Sequence, residues 1–170
     1  MASLMDELLG VLDSEEKEYR KLVDLAQQKR QVIIAANIEE LEEITEQEQQ
    51  IADVLHNLEL KRTGVLSDMA DVLGQEAEAL TIDKMISILS KQPKEQQELI
   101  DCRMRLRATL DEMKKWNHQN KALLEQALEL VEFDLTLFKS LRQAPETANY
   151  DSNAYNTGTL LGGGGFDAKQ

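Results

Sequence analysis

Residues 41–72, LEEITEQEQQIADVLHNLELKRTGVLSDMADV, decide the fold. Leu41, Ile44, Glu48, Ile51, Leu55, Leu58, Arg62, Val65, Met69 and Val72 follow one another at alternating spacings of three and four. A helix of 3.6 residues per turn gathers all of these on one face, with only Glu48 and Arg62 polar. Asn37 supplies an N-cap oxygen, and Glu40 stands three residues later at capping-box spacing. Gly74 follows the stripe, where a helix prefers a residue that tolerates the left-handed conformation. One long helix is therefore expected between Asn37 and Gly74.

Upstream, the same periodicity runs through Met5, Leu8, Leu12, Tyr19, Leu22, Ala26 and Ile33, interrupted by Glu15 and Lys29. This predicts a first helix from about Ser3, as N-cap, to Ala35, with Asp6 and Glu7 in its first turn. The link at Ala36–Asn37 is so short that the two helices must form an antiparallel hairpin. Downstream, Thr81 caps a short element carrying Ile82, Met85, Ile86 and Leu89, read as a crossover piece or end plug. Pro93 suits the first turn of a last helix, which continues unbroken to about Leu141. At 1.5 Å per residue that helix is about 70 Å long, against about 50 and 55 Å for the other two. It outruns them.

The fold expected is all-α: an antiparallel, coiled-coil-like bundle of three long helices with a short extra helix and a flexible C-terminal tail. The helical domain is 1–142. In 143–170 the periodicity stops and Asn, Thr, Ser and Gly dominate, with Gly158 and Gly162 to Gly165 among eight glycines in all. Such a segment buries too little to repay its ordering entropy. It nevertheless carries Tyr150, Tyr155 and Phe166.

Composition narrows the function. The formal charge is −13, from 19 basic and 32 acidic side chains. That field repels phosphate backbones and anionic membranes, so no nucleic acid partner and no membrane insertion are expected. Residues 1–19 hold neither a positive segment nor a long apolar core, and no stretch reaches the roughly 20 apolar residues of a membrane helix. With Cys102 the lone cysteine, no internal disulfide is possible, and the chain is read as cytoplasmic.

Catalytic groups are not in evidence. A bundle that holds two irons needs Glu-x-x-His twice, whereas here Asp53-x-x-His56 occurs once and His118 has Lys115 at that spacing. Cys102 reads as a small core residue. The Gly162–Gly165 run follows no strand and opens no helix, which makes it a spacer and not a phosphate cradle. The expectation is no enzyme, with no catalytic, cofactor-binding or metal residues.

Binding is written in the last helix. Up to Trp116 its large apolar residues, Leu99, Leu106, Leu110 and Met113, keep to a narrow arc, but beyond residue 122 the arc widens to about 180°. Ala127, Leu128, Val131, Leu135 and Phe138 stay central, Leu123, Leu130, Leu137 and Leu141 form a second stripe on one flank, and Phe133 faces away. The second stripe either packs on the first helix, stays open for a partner's amphipathic helix, or joins two copies in a homodimer. Asn117 and Asn120, near the inner face, can set register, while Glu15, Lys29, Glu48 and Arg62 read as solvated positions able to pair.

Leu8-Leu9, Glu16 to Tyr19, Leu22, Leu25 and Lys29, the break at Asn37, then Leu41, Ile44, Glu48, Leu55, Leu58, Glu59 and Arg62 form a pattern that resembles the FlgN-type flagellar export chaperones. The likeness covers about residues 4–142 and rests on dispersed positions. It implies a cytosolic type III export chaperone that binds the C-terminal amphipathic helices of hook–filament junction proteins. Such a chaperone prevents their premature assembly and delivers them to the export apparatus. It also implies cargo contacts at Leu123, Leu128, Leu130, Leu135, Leu137 and Leu141, and export-gate docking by Tyr150 or Tyr155. The alternative is a scaffolding coiled-coil protein without an export role.

Overall fold

The computed structural model describes the backbone of residues 1–167 and the side chains of residues 1–142. Four α-helices appear in chain order: α1 (Ala2–Ile34), α2 (Ile38–Leu73), α3 (Ile82–Ile88) and α4 (Pro93–Asp167). Short 3-10 turns at Ala77–Ala79 and Leu89–Lys91 flank α3, and there is no strand among the described residues. The all-helical bundle read from the sequence is the fold found. Helical backbone in α4 is assigned past the expected end near Leu141. The side chains of 143–170 lie outside the described residues, and the expected flexible tail lies there with them.

The helix ends follow local chemistry. The Asn37 side chain accepts a hydrogen bond from the Glu40 amide at 3.2 Å and opens α2. Gly74 closes it at φ 62°, the left-handed region that glycine enters without a Cβ penalty. Thr81 caps α3 by accepting from the Lys84 amide at 3.2 Å. Pro93 begins α4 at the position where its missing N–H costs nothing. The start of α1 corrects the reading: Met1 is the capping position and makes no side-chain bond, so Ser3 lies within the first turn and Asp6 and Glu7 beyond it. Between α1 and α2, Ala36 takes φ 53° without being glycine.

The chain forms two compact units, Met1–Leu124 and Glu125–Gln170. In the first, α1 and α2 are antiparallel: Lys29–Glu48 spans 19 positions and Glu15–Arg62 spans 47, so the separation grows away from the turn. Helices α1 and α4 are parallel. Cys102 lies beside the Leu9 carbonyl, Thr109 bonds Glu16 and Asn120 bonds Ala26, at sequence offsets of 93, 93 and 94. By its end α2 has brought the chain back to the starting end, and residues 75–92 reverse its direction there so that α4 can run beside α1.

The main core lies at that end. Met5, Leu8 and Leu12 of α1 meet Val65, Met69 and Ala70 of α2, Leu80, Met85 and Leu89 of the crossover, and Leu99 and Cys102 of α4. The crossover is thus an end plug as well as a connection. Toward the α1–α2 turn the core thins to Leu25, Val32 and Ile44, with Leu41 and Ile51 packed against them. The α2 stripe is accordingly unequal: Met69 is fully buried, whereas Val72, in sequence an equal member, is 60% exposed.

This inequality is measurable. Met69→Ala should lose about 2–5 kcal/mol of unfolding free energy in urea, and Val72→Ala less than about 0.5 kcal/mol. Similar losses at the two sites would mean that the stripe is evenly buried and that the packing described is wrong.

A candidate partner-binding strip on the last helix

Three polar positions fasten the first half of α4 to α1. The Asn120 side chain is buried, and its Nδ2 donates to the Ala26 carbonyl at 2.7 Å while Oδ1 has no partner. Thr109 is also buried, and its hydroxyl donates to Glu16 Oε1 at 2.9 Å. Arg20 completes the cluster, with Nη2 at 2.7 Å from Glu16 Oε1 and 3.1 Å from Thr109 Oγ1. The register role read for Asn120 has a physical basis in these bonds, whereas Asn117 is exposed.

The line of α4 that faces α1 and α2 is Leu99, Cys102, Leu106, Thr109, Met113, Trp116 and Asn120, at spacings of three and four. Cys102, Thr109 and Asn120 hide it in the sequence. Arg30 of α1 lies over the Trp116 ring at 5.8 Å, a further tie between the two helices.

The charged interruptions of the α1 and α2 stripes pair with each other and are not merely solvated. Arg62 Nη1 donates to Glu15 at 2.9 Å, and Lys29 Nζ to Glu48 at 3.1 Å. Burial pushes the Glu15 carboxyl above its ordinary value, and the neighbouring Arg62 only partly offsets this. Glu16 goes the other way. Burial alone would raise its carboxyl, but hydrogen bonds from Arg20 and Thr109 hold it below the ordinary value.

In the second unit, α4 presents large apolar side chains to solvent. Leu128, Leu130, Val131, Phe133, Leu135, Leu137, Phe138 and Leu141 are each between 49% and 64% exposed. Of the six residues at which the resemblance implies cargo contact, Leu128, Leu130, Leu135, Leu137 and Leu141 stand open, and Leu123 is half-buried. Val131 and Phe138 belong to the stripe read as central, yet they are open too. The strip is consequently wider than one flank. Phe133, on the far side of the helix, was the signal for this, because a helix apolar nearly all round has no stable place in water by itself. The side chains of Tyr150 and Tyr155 lie outside those described.

The two hydroxyls of the strip are bound to its own backbone. Thr136 donates to the Glu132 carbonyl and Ser140 to that of Thr136. Arg142 stacks over Phe138 at 5.8 Å. What remains for a ligand is apolar surface on the order of several hundred Å², as large as the patches that mark binding faces on soluble proteins.

Other reactive residues are scattered. His56 and His118 are exposed and far apart in the chain, and burial raises the Cys102 thiol above its ordinary value. Among the described residues no group of His, Cys, Asp and Glu is placed to hold a metal ion, and no helix is long and apolar enough to cross a membrane.

The sequence pattern of the family described as FlgN protein matches residues 1–158. No curated protein and no solved structure matches the chain.

Glu15 and Glu16 predict opposite pH responses. A raised folded pKa gives stability that is complete below the ordinary carboxyl value, about 4.3, and is lost as pH rises through the folded value. A lowered one gives stability that is present above the ordinary value and lost as pH falls through the folded value. Urea unfolding between pH 3 and 7 should therefore show the unsubstituted protein gaining on Glu15→Gln, and losing ground to Glu16→Gln, as pH falls. Parallel trends for the two variants would refute the assigned environments.

Proposed function

The chain belongs to the FlgN family of flagellar export chaperones, and from that premise we propose that it carries hook–filament junction proteins by their C-terminal amphipathic helices. In this reading it holds them in the cytoplasm, blocks their early assembly and delivers them to the export apparatus, with no catalytic step of its own. The supporting observation is the run of exposed apolar side chains from Leu128 to Leu141.

The chemistry suits the task. Filament-type subunits polymerise by packing amphipathic helices, so a carrier must offer those faces a substitute surface. A strip on a helix does this by the helix-in-groove mode, with anchors three and four residues apart. Leu130, Leu137 and Leu141 form one such row, and Leu128, Val131, Leu135 and Phe138 the next. Burying both rows takes a cargo helix, or a pair of helices, that wraps the strip. Such a complex has no deep pocket to hold it, and so dissociates readily when the cargo is handed on.

The family resemblance implies export-gate docking by Tyr150 or Tyr155, and the few apolar anchors of residues 146–170 apart from their aromatics agree with a tail that does not hold cargo. A tyrosine among small polar residues can order on contact and release again.

Leu130→Asp with Leu137→Asp should weaken calorimetric binding of C-terminal junction-protein helices at least about a hundredfold, since each charge lands in a desolvated contact. Helicity by circular dichroism should hold. Melting of the bundle would make these residues core. Failure of the unsubstituted protein to bind any junction-protein segment would favour a scaffolding protein instead. Removal of 146–170 should leave cargo affinity within about twofold and reduce export in cells. A large affinity loss would move cargo contacts into the tail.

A further inference from the structure

A second surface lies in the first unit. Between α1 and the beginning of α4 runs an open groove of about 770 Å³. Leu9, Gly10, Cys102 and Met104 supply its apolar lining. Met104 is 63% exposed, an unusual position for a large apolar side chain in a part of α4 that otherwise turns such residues inward. The rim is acidic: Asp13, Glu98 and Asp101 stand against Arg105. Asp13 shares its charge with Lys17 at 3.1 Å on the surface, while Glu98 and Asp101 enter no ion pair among the described residues.

Gly10 adds an independent observation. Glycine inside a helix is less stable than alanine by about 0.5–1 kcal/mol. Nothing inside this fold asks for it, since a Cβ built there meets no atom within 4 Å and the backbone does not take the left-handed conformation. Gly64 is equally open but does not line this groove. An absent side chain in the lining of a groove lets another backbone approach closely.

We propose that this groove docks a basic amphipathic helix from another protein, its apolar face over Leu9, Gly10 and Met104 and its Lys or Arg side chains against Asp13, Glu98 and Asp101. Charge complementarity selects this occupant. A second copy of the chain brings a net charge of −13. The chain's own residues after Arg142 offer Glu146, Asp151 and Asp167 against Lys169 alone. Both are repelled by the rim. An extra helix lying along the parallel pair α1 and α4 adds a neighbour to the bundle in the way that helix pairs ordinarily recruit one. None of its lining residues belongs to the strip beyond residue 127.

The test uses the full chain and two synthetic helices of about 18 residues, enough to span five turns. Both carry leucine along one face, one flanked by lysine and the other by glutamate. The lysine helix should bind, shifting the backbone amide resonances of Leu9, Gly10, Asp101 and Met104, and the glutamate helix should not. Asp13→Asn with Glu98→Gln and Asp101→Asn should weaken binding at least about tenfold. Glu39→Gln with Glu42→Gln and Glu43→Gln, an equal loss of charge on the exposed surface of α2, should change it less than about twofold. Gly10→Gln should melt at or above the unsubstituted protein and still bind at least about tenfold more weakly, a combination that a structural role for Gly10 does not produce. The proposal fails if the lysine helix does not bind. It fails equally if the glutamate helix binds as well, if the shifts fall on residues 128–141, or if the α2 variant loses as much affinity as the groove variant.

Discussion

Everything in the first unit depends on α1 keeping two registers at once. On one side it runs against α2, where Glu15–Arg62 and Lys29–Glu48 tie the antiparallel pair. On the other it runs with α4, where the offset stays at 93 or 94 from Leu9 to Ala26. Apolar contacts alone tolerate a slide of one heptad, because leucine meets leucine again seven residues on. A buried amide that must reach one carbonyl does not. Asn120 therefore carries information out of proportion to its size.

The ion pairs support the same view. Burial of Glu15 works against its charged form even with Arg62 at 2.9 Å, so the pair is poor evidence of stabilisation. Its effect lies in the cost of misplacement: a shifted hairpin would leave Glu15 buried without its guanidinium. Stability comes from the other end of the bundle, where Leu8, Leu12, Met69, Met85 and Leu99 are fully buried. A firm apolar end and a thinner, polar-keyed end divide the two demands of cohesion and alignment.

What the sequence discloses follows from how far each signal reaches. Asn37, Gly74, Thr81 and Pro93 act on their own few residues, and each marks a helix boundary correctly. Ser3 misleads because the helix begins two residues earlier without any side-chain cap. Pairing of Glu15 with Arg62 and of Lys29 with Glu48 depends on which stripes face each other, and a stripe does not state its partner. The inner line of α4 is disguised for a related reason: Thr109 and Asn120 are buried because α1 supplies their bonding partners, which periodicity of apolar residues does not register. The strip shows the opposite error. Val131 and Phe138 read as core by phase, yet burial needs a neighbour, and both are more than half exposed.

The charge and the strip explain one another. Eight large apolar side chains open to water invite two copies to stick together, and a chain with that surface needs a counterweight. A net charge of −13 supplies one, because like-charged molecules repel at the distances from which such contacts form. Glu125, Glu129, Glu132 and Asp134 carry the repulsion onto the strip's own turns. A second copy meets this barrier at every approach, whereas a less acidic amphipathic helix does not. The acidity thus acts as selection among surfaces, setting an electrostatic cost on pairing two strips that a less acidic helix does not meet.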